Sequence, residues 1–314
     1  MSRTEPPPGL SRAFRHTSAR AREAHIARAK RGARDERRAR SFPAASASFA
    51  AMCDVVARKD ATSTRRDEGI RAFATTTRMR APHVFRGFAS DTTAVRTWRD
   101  AKRFADAGQG ARTTVLTPRE GAREAAFIKA DCDANESGTF EEACEAIFEH
   151  GERVYARAEC TTTLAVEANV GAVGEVFAED VALRNCGVWF GAAGNVTPLH
   201  YDLCHGFLIM IRGVKTFTIF HKDDFRAMYQ RRDRPELSRV NLDAWYAGDA
   251  DERDRFPDFE DATPLTFTLY PGDMMYTPPF FWHHVRTHDG EPAISVLVPF
   301  DLDAEEPVHV SHLY

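Results

Sequence analysis

From Cys186 to Val298 the chain is a succession of short apolar runs closed by glycine or proline. Cys186–Gly191, Phe207–Ile211, Val214–Phe220, Leu265–Tyr270, Met274–Tyr276 and Ala293–Val298 are all of strand length and rich in β-branched or aromatic residues. Such residues favour a half-buried pleated surface over a helix. Arg212-Gly213, set between two of these runs, predicts a hairpin, and Pro271-Gly272-Asp273 predicts a turn. Strands this short and this numerous bury their faces by stacking or closing, so a β-barrel or sandwich is expected.

The region before this is mixed. Pro82–Phe88, Arg112–Thr117 and Val154–Ala158 read as strands. Val95, Trp98, Ala101 and Phe104 recur at helical spacing within Thr92–Ala107, with Thr92 or Thr93 as cap. Thr139-Phe-Glu-Glu142 has the form of a capping box, followed by the apolar stripe Phe140, Ala143, Ile147 and Phe148 and a stop near Gly151. These helices are expected to flank the β core on its N-terminal side. Asp223–Glu260 reads as a polar, irregular excursion with one helical piece near Asp224–Gln230.

Charge divides the chain in two. Residues 1–40 carry 12 Lys+Arg against 4 Asp+Glu, which leaves −12 on the remainder of a chain whose net charge is −4. Residues 1–65 are therefore expected to form a basic tail, and residues 66–314 one folded domain. The tail's Arg- and Ser-rich composition fits an organelle leader, although Glu5, Glu23, Asp35 and Glu36 count against it. A polyanion-binding or nuclear-import segment is the other reading. An acidic body is a poor general grip for phosphate backbones. Six scattered cysteines without a C-x-x-C pair point to separate thiols in an intracellular protein of the cytoplasm or nucleus, and Cys204 reads as a small buried side chain. No apolar run is long enough to span a membrane.

The chemistry centres on Thr197-Pro-Leu-His-Tyr-Asp202. Alternation puts His200 and Asp202 on one face of an extended segment. A further histidine pair, His283-His284, lies in Trp282-His-His-Val285; adjacent strand residues face opposite ways, so one of the two joins the site. Two imidazoles and a carboxylate suit Fe(II) with open positions for O₂ and substrate. Zinc is a competitor by ligand type, but a structural zinc site wants a fourth protein ligand. Lys215, set among apolar neighbours, is placed to pair with the distal carboxylate of a metal-chelating 2-oxo acid. Tyr201, Trp245 and Phe281 are large side chains that either wall a substrate groove or pack.

Gly194–Asp202, Ile211–Lys215, Arg255–Phe259 and Pro271–His284 together resemble the JmjC/cupin-like Fe(II)- and 2-oxoglutarate-dependent oxygenases. In these motifs the chain resembles the asparaginyl hydroxylase that inhibits hypoxia-inducible factor. The resemblance implies a double-stranded β-helix (jelly-roll/cupin) core. It implies that His200, Asp202 and His283 ligate iron, His283 being the histidine directly after the tryptophan. It further implies that Lys215, Thr197 and Tyr155 hold the C5 carboxylate of 2-oxoglutarate. The implied reaction is hydroxylation of a protein side chain with decarboxylation of 2-oxoglutarate to succinate. Lysyl demethylation, tRNA-base hydroxylation and non-catalytic binding are the alternatives, with a protein or peptide substrate favoured over RNA. The sequence departs from the family at Gly206, where an asparagine is usual, and on the last strand, Ser295–Phe300, which lacks the family's asparagine. The helical dimer module of the asparaginyl hydroxylase is expected to be absent, which leaves the oligomeric state open.

Overall fold

The computed structural model describes residues 81–119, 127, 131–177 and 186–300. The expected tail at 1–65 lies outside them. Among them, twelve strands form two antiparallel sheets. The larger runs β1-β10-β7-β12-β5-β4-β2-β3 and the smaller β6-β11-β8-β9. In chain order the strands are β1 (His83–Phe85), β2 (Thr113–Pro118), β3 (Cys132–Asn135), β4 (Tyr155–Glu159), β5 (Gly187–Gly191), β6 (Val196–His200), β7 (His205–Arg212), β8 (Lys215–Phe220), β9 (Leu265–Leu269), β10 (Met274–Thr277), β11 (Trp282–Thr287) and β12 (Ala293–Phe300).

From β5 onward the chain changes sheet at every connection except β8 to β9. That winding is the double-stranded β-helix. It corrects the hairpin expected at Arg212-Gly213. β7 pairs with β10 and β12, whereas β8 pairs with β11 and β9, so the turn between them is a crossover. Gly213 makes the crossover with φ +75°, and a Cβ there would lie 2.7 Å from the Pro292 carbonyl oxygen. Only glycine meets both demands cheaply. Gly194 and Gly272 sit at two further crossovers, also with positive φ.

Three apolar layers hold the sheets. The outer face of the larger sheet (Phe190, Phe207, Ile209, Val296) packs on helices α1 (Thr93–Thr97), α2 (Ala101–Ala107), α3 (Phe140–Cys144), α4 (Thr162–Glu167) and α5 (Val170–Phe177). Phe104 anchors this layer, within 5.2 Å of both Phe140 and Phe190 by ring centroids. Between the sheets, Met210 and Met275 meet Phe217, Ile219 and Val285. The outer face of the smaller sheet (Leu199, Phe220, Trp282) is covered by the chain from Ala227 to Phe259.

Two helices differ from expectation. Thr92 does cap the first, its side chain accepting from Val95 N, but the segment breaks at Trp98. Asp100 then accepts from Arg103 N and starts a second helix, so an aspartate inside the periodic run acts as a new N-cap. The capping box at Thr139 and Glu142 forms as expected. The excursion is more regular than its polarity suggests. It holds α6 (Leu242–Ala247) and α7 (Ala250–Arg255), capped by Asn241 and Asp249. They are fixed by burial of Leu242, Trp245, Phe256 and Phe259 against the smaller sheet. Tyr201, Trp245 and Phe281 are buried packing residues, not groove walls, and Cys204 is buried as expected. No helix among the described residues is long and apolar enough to cross a membrane.

Candidate metal centre

The inner face of the smaller sheet concentrates the polar side chains. β11 alternates, so His283 and Val285 face inward while Trp282 and His284 face the covering helices. His284 Nε2 lies 3.5 Å from Asp243 Oδ2 on α6, and this contact holds the Asp243 carboxyl below its ordinary range. The separation of the two histidines argued from alternation is therefore observed.

β6 reaches the same space by a less regular route. It pairs with β11 through His283↔His200 and Val285↔Thr197, so three steps on β6 answer two on β11. The extra residue is a bulge, and it turns both Thr197 and His200 into the pocket where simple alternation would part them. Asp202 follows in the loop after β6.

His200, Asp202 and His283 each offer an atom to a common space, all within 4.8 Å of one another. His200 Nε2 is 4.0 Å from Asp202 Oδ1, and His283 Nε2 is 3.7 Å from Asp202 Oδ2. These separations are too long for hydrogen bonds but right for groups converging on one centre. Nδ1 of His200 donates to the Pro198 carbonyl at 2.7 Å, and Nδ1 of His283 donates to the Phe281 carbonyl at 3.0 Å. With Nδ1 protonated, the Nε2 lone pair of each ring is left for a metal. Burial, then the neighbouring His283, pushes the His200 pKa well below its ordinary value, so this ring is neutral at pH 7. Neutral imidazole is the ligating form. Two such imidazoles and one carboxylate fit Fe(II) by donor type and number.

Deeper in the same pocket lies Lys215, 1% exposed. Its Nζ donates to Ser295 Oγ at 2.8 Å and Tyr155 Oη at 3.2 Å. Among the described residues no carboxylate pairs with it. Burial lowers its pKa to about 7. A buried cation held by two hydroxyls and the Tyr155 ring, 5.4 Å from Nζ to its centroid, is costly without an anion, and an entering carboxylate would offset that cost. Tyr155 and Thr197 line the same pocket, and burial pushes the Tyr155 pKa up while the neighbouring Thr197 opposes that shift. Tyr155 can approach because Gly191 stands opposite it on β5; a Cβ there would lie 2.5 Å from the tyrosine ring. The pocket thus brings together all six residues singled out in the sequence. Leu208, Phe217 and Val285 give it apolar walls.

Ser295 escaped the sequence reading. It sits at zero exposure on β12, where the family's asparagine has no match, and it is the nearest hydroxyl to Lys215. Gly206 lines the pocket, and a Cβ there would meet only Leu297 at 3.4 Å.

Residues 70–304 match the cupin-like domain. The chain belongs to that family. Curated relatives similar to it include JmjC domain-containing protein D of Dictyostelium discoideum, 33% identical over 101 residues, which are 32% of this chain and 21% of that one. Lysine-specific demethylase JMJ30 of Arabidopsis thaliana is 33% identical over 108 residues, 33% of this chain and 24% of that one. The human bifunctional peptidase and (3S)-lysyl hydroxylase JMJD7 is 28% identical over 132 residues, 37% of this chain and 42% of that one. The chain spans about a fifth to a quarter of the length of the first two of these relatives. The JmjC/cupin-like resemblance read from the sequence motifs is borne out at the level of family and fold.

Proposed function

We propose that the domain is an Fe(II)- and 2-oxoglutarate-dependent oxygenase that hydroxylates a protein side chain. The observation that carries this reading is the shared pocket of three buried donors, His200, Asp202 and His283, and one buried cation, Lys215. Iron bound there with 2-oxoglutarate would couple reduction of O₂ to decarboxylation of the co-substrate to succinate and CO₂, with one oxygen atom going to a substrate C–H bond. In this reading His200 and His283 present Nε2 to the metal, each ring aimed by its Nδ1 bond to a backbone carbonyl. Asp202 supplies the charge that favours a divalent cation.

Lys215 takes the distal carboxylate of the co-substrate. Tyr155 and Ser295 hold its ammonium in place, and the Thr197 hydroxyl, which lines the same pocket, is a further donor to the same group. The apolar walls exclude water from this end and strengthen the ion pair. A protein substrate is favoured by relatives named for lysine demethylation and lysyl hydroxylation. The same names support a second reading, N-methyl-lysine demethylation, in which the oxidised carbon is the methyl group.

The test is mass spectrometry of lysate proteins and RNA incubated with Fe(II), 2-oxoglutarate and either wild-type protein or the His200→Ala variant. An added oxygen on a protein, dependent on His200, supports the reading. Loss of a methyl group selects demethylation, and an oxidised base only on RNA replaces the substrate class. Absence of succinate, together with a purified protein that binds neither iron nor manganese, overturns the oxygenase assignment.

A further inference from the structure

β10 and β11 belong to different sheets, and Pro278–Phe281 carries the chain between them. Both flanks of this crossing reach the pocket, since Thr277 lines it and His283 offers it a donor. The rings of Pro278 and Pro279 fix φ at about −65° and leave the connection few conformations. Phe280 then turns the backbone with φ +66°. A positive φ is uncommon for any residue with a Cβ, and phenylalanine lacks the short polar side chain with which Asn or Asp eases it. Strain of this kind persists only where the surroundings over-determine it, and it gathers at functional sites.

The contacts of this turn lead to two of the three metal donors. The Phe280 N–H donates to the Asp202 carbonyl at 2.8 Å. Its ring lies 5.8 Å from that of Tyr201, in the apolar layer that covers the smaller sheet. Phe281, the next residue, is buried, and its carbonyl accepts from His283 Nδ1 at 3.0 Å. One end of the Phe280–Phe281 backbone thus binds the main chain of the carboxylate donor, and the other aims the ring of a histidine donor. Asp202 Oδ2 and His283 Nε2 stand 3.7 Å apart. The pairing of β6 with β11 fixes His200 against His283, but it stops short of Asp202. The carboxylate needs a tie of its own, and the Phe280 N–H supplies one.

We propose that Phe280 is a positioning residue for the metal centre. Its left-handed backbone keeps the Phe280 N–H on Asp202 and the Phe281 carbonyl on His283 at once, and so sets the spacing of carboxylate and imidazole. The inference rests on the metal reading of the site, and it assigns the role to the backbone rather than to the ring.

The experiment compares Phe280→Gly, Phe280→Asn, Phe280→Ala and Phe280→Val in the full-length protein. The readouts are Mn(II) affinity by equilibrium dialysis and the absorption spectrum of bound Co(II). All four variants keep the N–H and lose the ring. They differ in tolerance of a positive φ, which falls from Gly and Asn through Ala to Val. Gly and Asn should bind Mn(II) within about threefold of wild type, Ala several-fold more weakly and Val roughly tenfold more weakly. The Co(II) bands should shift in Val and stay in place in Asn. Where urea unfolding of the metal-free protein shows that Val does not fold, Ala against Asn carries the comparison. A role in packing alone predicts the reverse order, with Val the best of the four because it buries the most apolar surface. That reverse order, or folded variants that all bind as wild type does, would overturn the proposal. Wild-type protein that binds neither Mn(II) nor Co(II) would overturn the metal reading and the role of Phe280 with it, so the two failures are distinguishable.

Discussion

The two sheets divide the labour of the pocket unequally. The smaller one supplies the proposed metal donors, the buried cation and a hydroxyl: Thr197 and His200 from β6, Asp202 just beyond it, Lys215 from β8 and His283 from β11. The larger one supplies the wall and two hydroxyls, Tyr155 from β4 and Ser295 from β12. Both are backed by apolar layers, but of different kinds. The larger sheet rests on N-terminal helices, and the smaller on the short helices of the excursion. A sheet of three or more strands is stable when its apolar face is buried, and the excursion buries the outer face of the smaller sheet. Its cover is therefore expected to govern how well the reactive groups are held.

This contrast can be broken at several points. The largest effect should come from His200→Ala, which removes one of three donors from the smaller sheet. Metal affinity should fall more than about 100-fold, beyond the range that loss of a supporting contact produces, as read by equilibrium dialysis with Mn(II). Next is the cover. Trp245→Ala leaves a void between α6 and the smaller sheet and should cost about 3–5 kcal/mol of unfolding free energy in urea. Metal affinity should drop before global unfolding, which would show that the excursion positions the site.

Lys215→Met leaves metal binding intact and should raise the 2-oxoglutarate concentration needed for half-saturation roughly 10- to 100-fold, the weight of a charge-assisted hydrogen bond. It should also stabilise the free protein. The folded pKa of Lys215, about 7, is below its unfolded value of 10.5, so the unfolded chain binds more protons between those two pH values. Wild-type stability should therefore rise relative to Lys215→Met as pH increases through that window, as followed by thermal melts. A carboxylate ligand restores the ammonium, so affinity for 2-oxoglutarate should be flat below pH 7 and fall above it. The smallest effect belongs to the larger sheet. Ser295→Ala removes one neutral partner and should weaken 2-oxoglutarate binding by a few-fold, about 1 kcal/mol, on isothermal titration.

Much of this arrangement was legible in the sequence, and the parts that were not share a cause. Alternation and turn residues mark β8, β9, β10 and β12 because those signals are local. The separation of His283 from His284 follows from the two-residue period of a strand, whereas Asp202 meets His200 from the loop just beyond β6. What escaped depends on distant partners. Gly213 reads as a hairpin turn because a positive φ serves a hairpin and a crossover alike; only the pairing of β8 with β11 decides. The bulge in β6 has no local mark, so Thr197 entered the site through resemblance alone. The excursion looked irregular because its helices are six residues each and are held by burial of Trp245 and Phe259 rather than by periodicity. Ser295 is a small neutral residue with no chemical signature until Lys215 is brought to it.

The claim that the smaller sheet holds a metal and, beyond it, a site for a dicarboxylate is tested most directly by titrating 2-oxoglutarate into wild-type protein with and without Mn(II). The account predicts one molecule bound per chain, with an affinity that depends on the metal and that Lys215→Met reduces. Binding of equal strength without metal, or binding indifferent to Lys215, would contradict it.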